Sequence, residues 1–178
     1  MCIRDSTRVV RRSNALSGHS YGRTFRYREV MKTGRGLNGR LTGYAVAGGL
    51  GAAVGAMNVG FLRPLVKKVV PAPGTGPSEK ARNEGFFKMD IRTTTTTGRK
   101  WHSVVSAQGD PGYAATCVML GEAGLALALQ RDDLPLPEGR QGGLLTPATA
   151  LGMPYVERLR ARGFVIEAEP LALSLIHI

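Results

Sequence analysis

Side chains able to act as nucleophiles or metal ligands are scarce in this sequence: two cysteines, Cys2 and Cys117, and three histidines, His19, His102 and His177. Cys2 and His177 fall in terminal hexapeptides that are set aside below, which leaves one cysteine. A single cysteine excludes an intramolecular disulfide and any Cys-x-x-Cys metal site. Cys117 sits in an apolar periodic stretch, where a free thiol is expected to behave as a small buried hydrophobe rather than as a catalytic group. Neither His19 nor His102 has a cysteine or an acid at metal-ligand spacing, and His102 lies in a strand pattern that suits surface or cross-strand packing. No metal site is expected.

Positive charge is the other conspicuous chemistry. The formal net charge is +11, and it is uneven. Between Thr7 and Arg40 lie Arg8, Arg11, Arg12, Arg23, Arg26, Arg28, Lys32, Arg35 and Arg40, against the single acid Glu29. Such a cluster suits phosphates of nucleic acid, of a nucleotide cofactor or of a lipid headgroup. No zinc-finger, RNP or helix-turn-helix pattern accompanies it and aromatics are few, so no nucleic-acid partner is expected. Arg far outnumbers Lys, and Ala and Gly are abundant, a pattern that a GC-rich genome alone produces.

The two ends read as translated DNA adapter. Residues 1–6 are MCIRDS and residues 173–178 are LSLIHI. One back-translation of the first, ATG TGT ATA AGA GAC AG, has the reverse complement CTG TCT CTT ATA CAC AT, which encodes the second. That DNA is the mosaic end used in transposase library preparation. Both hexapeptides are therefore expected to take no part in the fold, and the interpretable chain is 7–172. No secretory signal is visible, which on this reading of the front end carries no information.

The elements that must position any chemistry read as mixed α and β. TFRYREV, Thr24 to Val30, alternates Phe25, Tyr27 and Glu29 with Arg26, Arg28 and Val30, and reads as a strand broken by Gly34 and Gly36. No charge occurs from Leu41 to Leu62, and Arg63, Lys67 and Lys68 follow at once. The length suffices for a bilayer, yet six glycines weaken insertion, while Gly51 and Gly55 suit close helix packing. Residues 41–70 thus read as a buried or substrate-facing helix pair, a membrane-surface element, or a span. Residues 71–77, with Pro71, Pro73, Gly74, Gly76 and Pro77, read as a linker.

In residues 78–172, Ser78 caps a short helix that Gly85 ends. Phe87, Met89, Ile91 and Thr93 then alternate with Lys88, Asp90 and Arg92, and Gly98 turns the chain into a partner strand, Trp101 to Gln108. Asp110 and Pro111 suit the N-cap and first turn of a helix to about Leu129, with Val118, Leu125 and Leu129 on its apolar side beside Cys117 and Ala128. Pro135 to Gly143 reads as a loop. Thr146 and Pro147 start a helix through Arg162 that Gly163 stops, and Phe164 to Glu167 forms a terminal strand.

The segments RSNAL (Arg12 to Leu16), YGRTFRYREVM (Tyr21 to Met31), PAPGTGPSEKARNEGFFKM (Pro71 to Met89), QGDPGYAATCVMLGEAGLALAL (Gln108 to Leu129) and LLTPATALGMPYVERLRARGF (Leu144 to Phe164) occur in fixed order. Together they resemble the C-terminal half of the saccharopine-dehydrogenase-like oxidoreductases, among them the trans-acting enoyl reductases of actinobacteria. The resemblance implies an α+β substrate-side C-terminal domain, with a Rossmann domain expected to precede it in a longer parent. No G-x-G-x-x-G is expected between a strand and a helix here, so the dinucleotide fingerprint is placed elsewhere. The implied parent uses NAD(P)H to reduce a carbon–carbon double bond in a lipid-like or polyketide acyl chain, carried as a thioester on a carrier protein. The implied setting is cytoplasmic, with peripheral membrane contact. This chain alone is expected to bind no cofactor and to be inactive. Asp110 and Tyr113 of GDPGY are the candidate polar contributors, with capping by Asp110 and packing by Tyr113 as the structural alternative. A rival class is a non-enzymatic lipid-associated or interaction protein that keeps the fold.

Overall fold

The computed structural model describes residues 3–61, 64, 76–135 and 142–171. It separates into two compact units, residues 28–77 and the remainder, Met1–Tyr27 with Ser78–Ile178. Arg63, Lys67 and Lys68, residues 71–75 of the expected linker, 136–141 of the expected loop, and 173–178 lie outside the described residues.

The larger unit is built on an antiparallel sheet of three strands, β1 (Phe86–Thr94), β2 (Lys100–Gln108) and β3 (Val165–Pro170), with β2 central. The β1–β2 hairpin closes through Thr95, whose N–H donates to Arg99 O at 2.9 Å and whose hydroxyl accepts from Arg99 N–H at 3.0 Å. Gly98 supplies the left-handed residue of that turn, at φ +81°. Phe87 faces Ala107, and Met89, Val105 and Ile166 stand in register across all three strands. Alternation puts these residues on one face of the sheet.

Two helices cover that face, α4 (Ala114–Leu129) and α6 (Gly152–Ala161). Ala107, Ala115, Leu159 and Phe164 form the core between helices and sheet, with Phe87, Met119, Tyr155 and Ile166 packed against them. The Phe87 and Phe164 rings meet edge to face at 6.3 Å, the arrangement their quadrupoles prefer. A second cluster, Ala126, Leu134 and Leu151, joins the far end of α4 to the α6 entry.

The buried side of α4 differs from the expected one. Ala115, Met119, Glu122 and Ala126 face inward, whereas Cys117, Val118, Leu125 and Leu129 are exposed. The helix is apolar nearly all round, so periodicity cannot select a face. Small Ala115 and Ala126 allow close approach, and the Glu122 carboxylate faces the α6 arginines described below.

The expected helix from Pro147 to Arg162 is two helices, α5 (Pro147–Ala150) and α6. Gly152 breaks it with φ +54°. Pro154 has no N–H to donate to Ala150 O, and its ring would strike that carbonyl in a continuous helix. α5 is capped by its own threonines, Thr149 Oγ1 accepting from Thr146 N–H at 3.1 Å.

Thr24 to Val30 is not a strand. The segment keeps the alternation, with Phe25, Tyr27 and Glu29 half-buried and their neighbours exposed, but the sheet does not include it. Period-two alternation needs only an extended backbone over a surface; a strand also needs a ladder partner. Helix α1 (Ile3–Leu16) precedes it and carries Ile3 to Ser6 as its first turn. Extending a helix already nucleated adds a hydrogen bond per residue fixed, whatever the origin of the codons. Ser13 and Thr146 share a buried hydroxyl hydrogen bond of 2.8 Å, and Arg12 donates to Leu144 O at 2.7 Å, which pins α1 to α5.

In the 28–77 unit, α2 (Gly36–Asn58) is one continuous helix of 23 residues with Gly39 its one buried residue; residues 65–70 of the expected helix pair lie outside the described residues. No helix of the described residues is long and apolar enough to cross a membrane, which removes the span expected as one reading of Leu41 to Leu62. Seven glycines in α2 explain this, because each offers almost no apolar surface.

Candidate functional site

The GDPGY segment folds against the short helix α3 (Glu79–Glu84), so two segments separated in sequence become one structure. Ser78 caps α3 by accepting from Ala81 N–H at 3.2 Å. Gly109, at φ +97°, donates its N–H to Gly85 O at 2.6 Å, and Asp110 N–H donates to Arg82 O at 3.0 Å. A Cβ on Gly85 would lie 2.6 Å from Ala81 O and 3.1 Å from the Asp110 backbone, so only glycine fits this approach.

Asp110 then turns the chain. Its Oδ2 accepts from Tyr113 N–H at 2.8 Å, closing a turn before α4, and the helix begins at Ala114 rather than at Pro111. The carboxylate is therefore engaged in capping. Tyr113 does not pack as a core residue: it is the N-cap residue of α4 and is 54% exposed. The structure thus places the two candidates three residues apart on one exposed turn, one with a local role and one presented to the surroundings.

A second polar cluster locks α4 to α6, and sequence reasoning missed it. Glu122, only 5% exposed, meets Arg158 Nε at 2.7 Å and Arg162 Nε at 2.6 Å. Arg158 also donates to Gln130 Oε1 at 3.1 Å. The Arg162 hydrogen bond holds the Glu122 carboxyl below the usual carboxylate range; burial opposes this, and the two positive charges add to it. A carboxylate so stabilised as an anion is a poor proton acceptor at neutral pH, so the cluster is an anchor rather than a base. Tyr155 donates to Met119 O at 2.9 Å, and burial, followed by the Glu122 charge, raises its phenol pKa. The clue was available in sequence: Arg158 and Arg162 stand four apart on one helix face, and Glu122 is the one acid in an otherwise apolar helix.

His102 does have acidic neighbours, though none near it in sequence. Its Nε2 lies 3.1 Å from Asp90 Oδ1 on β1, and its Nδ1 lies 3.5 Å from Glu169 Oε1 on β3. This is cross-strand packing on the open face of the sheet, as the strand pattern suggested. Among the described residues no group of three or more His, Cys, Asp or Glu is placed to hold a metal.

The spelling G-x-G-x-x-G does occur, as Gly34, Gly36 and Gly39, leading into α2. Among the described residues no strand precedes it, so it does not lie between a strand and a helix. Its geometry does not fit a dinucleotide. A Cβ on Gly39 would lie 2.5 Å from the Gly34 carbonyl carbon, so the loop is closed on itself, and Thr33 Oγ1 donates to Gly39 O at 2.9 Å. The segment before it belongs to no sheet, and all strands of the described residues are antiparallel, so no βαβ unit presents the loop. An open cleft of about 680 Å³ beside it is lined by Leu37, Arg40, Tyr44 and Ala47, with Thr33 and Gly34 at its edge.

The chain is similar to proteins named trans-acting enoyl reductases. It is 46% identical over 171 residues to one from Mycobacterium tuberculosis, a match covering 94% of this chain and 40% of that protein. A Mycobacterium ulcerans relative is 43% identical over 166 residues, covering 92% of this chain and 38% of the relative. One from Mycobacterium bovis is 42% identical over 164 residues, with 90% and 38% covered. The chain spans about two fifths of the length of these relatives. No family model matches it. No solved structure matches it.

Proposed function

We propose that this chain is the substrate-side part of an NAD(P)H-dependent enoyl reductase acting on lipid or polyketide acyl chains. The observation that carries the reading is the similarity over nearly the whole chain to two fifths of a protein named a trans-acting enoyl reductase. On this reading the saccharopine-dehydrogenase-like resemblance holds, and a Rossmann domain that binds the dinucleotide lies in the part of the relatives this chain does not span. The closed Gly34–Gly39 loop is no substitute for that domain, so no step involving the dinucleotide is assigned to these residues.

Reduction of an enoyl thioester puts negative charge on the thioester oxygen, and a donor placed there in advance lowers the barrier. Tyr113 is the candidate donor. Its phenol is exposed, while the Asp110 turn fixes its backbone. Asp110 is a positioning residue: its carboxylate holds the Tyr113 N–H. The acyl chain is carried as a thioester, on a carrier protein in the reading adopted here.

The test is a chimera in which this chain replaces the matching part of the M. tuberculosis relative. We expect NADPH oxidation that depends on a long-chain enoyl thioester, and Tyr113→Phe should slow turnover about a hundredfold with NADPH affinity unchanged. A folded chimera that binds NADPH and reduces no enoyl thioester would remove the functional reading. A full rate for the Tyr113→Phe chimera would remove the residue assignment alone.

A further inference from the structure

We infer that helix α3 seats the turn that carries Tyr113, and that Gly85, which permits the seating, is a positioning residue for enoyl reduction. The inference rests on the reductase reading above and names what fixes that site. β1 begins at Phe86 and β2 ends at Gln108, and these two residues are the last pair of their ladder. One further bond, from Gly109 N–H to Gly85 O at 2.6 Å, carries the pairing past the strands. There the chains part, one leading back into α3 and the other on into the Asp110 turn. Asp110 N–H still reaches Arg82 O of α3 at 3.0 Å. The turn is therefore held from two sides. Asp110 ties it to α4, its Oδ2 accepting from Tyr113 N–H at 2.8 Å and its main-chain oxygen from Ala115 N–H at 3.0 Å. α3 ties it to the end of the sheet.

The two glycines at this junction are required for different reasons. Gly109 holds φ +97°, which a side chain disfavours. Gly85 lies at φ −61° and ψ 157°, a conformation open to any residue, so what it supplies is space. A Cβ there would lie 2.6 Å from Ala81 O and 3.1 Å from both N and Cα of Asp110. All three are main-chain atoms, so no flexible side chain can yield. Relief must move the last turn of α3 or move Asp110, and either disturbs the Arg82–Asp110 bond. Ala115 is 2% exposed and fixed in the core, so α4 cannot follow the turn. The displacement falls on residues 110–113, which carry the candidate donor. A hydrogen-bond donor to a developing oxyanion acts from a place fixed in advance, and a misplacement of about 1 Å can cost about a hundredfold in rate. Gly85 thus acts on the reaction through Tyr113, without touching substrate.

The test combines turnover in the chimera with amide exchange in the full 178-residue chain. Gly85→Ala should lower kcat for a long-chain enoyl thioester about tenfold, with NADPH affinity unchanged. In a Tyr113→Phe background the same substitution should change kcat less than about twofold, because nothing remains to be positioned. Ser78→Ala, which uncaps α3 without adding bulk, should give a smaller loss with the same dependence on Tyr113. In the chain itself, the Gly109, Asp110 and Tyr113 amides should exchange at least about tenfold faster in Gly85→Ala, with α6 amides unchanged. Equal rate losses in the two backgrounds would make Gly85 a purely structural residue and overturn the inference. Wild-type exchange at all three amides would equally overturn it. An active chimera that keeps its full rate with Gly85→Ala and with Ser78→Ala would remove this inference alone. A folded chimera that binds NADPH and reduces no enoyl thioester would remove the reductase reading and this inference with it.

Discussion

Among the described residues of the larger unit, Glu122 is the one charged residue that is buried. Its two oxygens are divided between Arg162 and Arg158, and its burial leaves little water to replace either partner. Removing the acid leaves Arg158, whose side chain is 22% exposed, without its carboxylate partner, while Arg162, 59% exposed, can turn to water. Because the folded carboxyl titrates below its ordinary range, its contribution is complete above the unfolded pKa. It disappears as pH falls through the folded value. We therefore expect Glu122→Gln to lower the unfolding temperature by several degrees at about pH 7, with the gap to wild type closing towards about pH 3. Equal unfolding temperatures at neutral pH would show that the cluster is not an anchor. At this scale much of the site was hidden from the sequence. His102 finds its acids 12 and 67 residues away, a pairing that only strand register creates. Asp110 was legible as a cap because the hydrogen bond it makes is local; the exposure of Tyr113 was not, since it depends on what α4 packs against.

At the scale of elements, local signals worked and face selection failed. The β1–β2 hairpin, the Ser78 cap and the stop at Gly163 rest on turn and cap chemistry within a few residues. The buried face of α4 depends instead on a distant helix, and the Thr24 to Val30 strand depended on a ladder partner that the sheet does not supply. The α5–α6 break combines both kinds of cause. Gly152 holds a positive φ, and a Cβ there would come within 2.6 Å of Pro135 Cγ. Gly152→Ala should cost about 1–2 kcal/mol from the backbone alone, and more if Pro135 cannot yield. Urea unfolding is the check, with a lower midpoint and an unchanged slope. A midpoint equal to wild type would mean that the two short helices are one helix in solution.

The whole molecule divides its chemistry unevenly. The larger unit has a packed α/β core and a tyrosine-bearing turn, while the 28–77 unit has an apolar helix and seven cations against one acid. Mixed α and β content was legible from alternation and capping, but the relation to longer proteins came from ordered motifs and from the relatives' lengths, not from periodicity. Motif spelling alone misleads in both directions here: G-x-G-x-x-G is present in letters and absent as a phosphate cradle, because the fold gives it neither a preceding strand nor an open turn. The proposed function places substrate contacts in this chain and the dinucleotide in the part of the relatives it does not span. Calorimetric titration of NADPH, into this chain and into the chimera with the M. tuberculosis relative, tests that division. We predict saturable binding in the micromolar range for the chimera and no measurable heat of binding for this chain, whose Gly34–Gly39 loop is closed on itself at the start of α2. Micromolar binding of NADPH by this chain alone would contradict it.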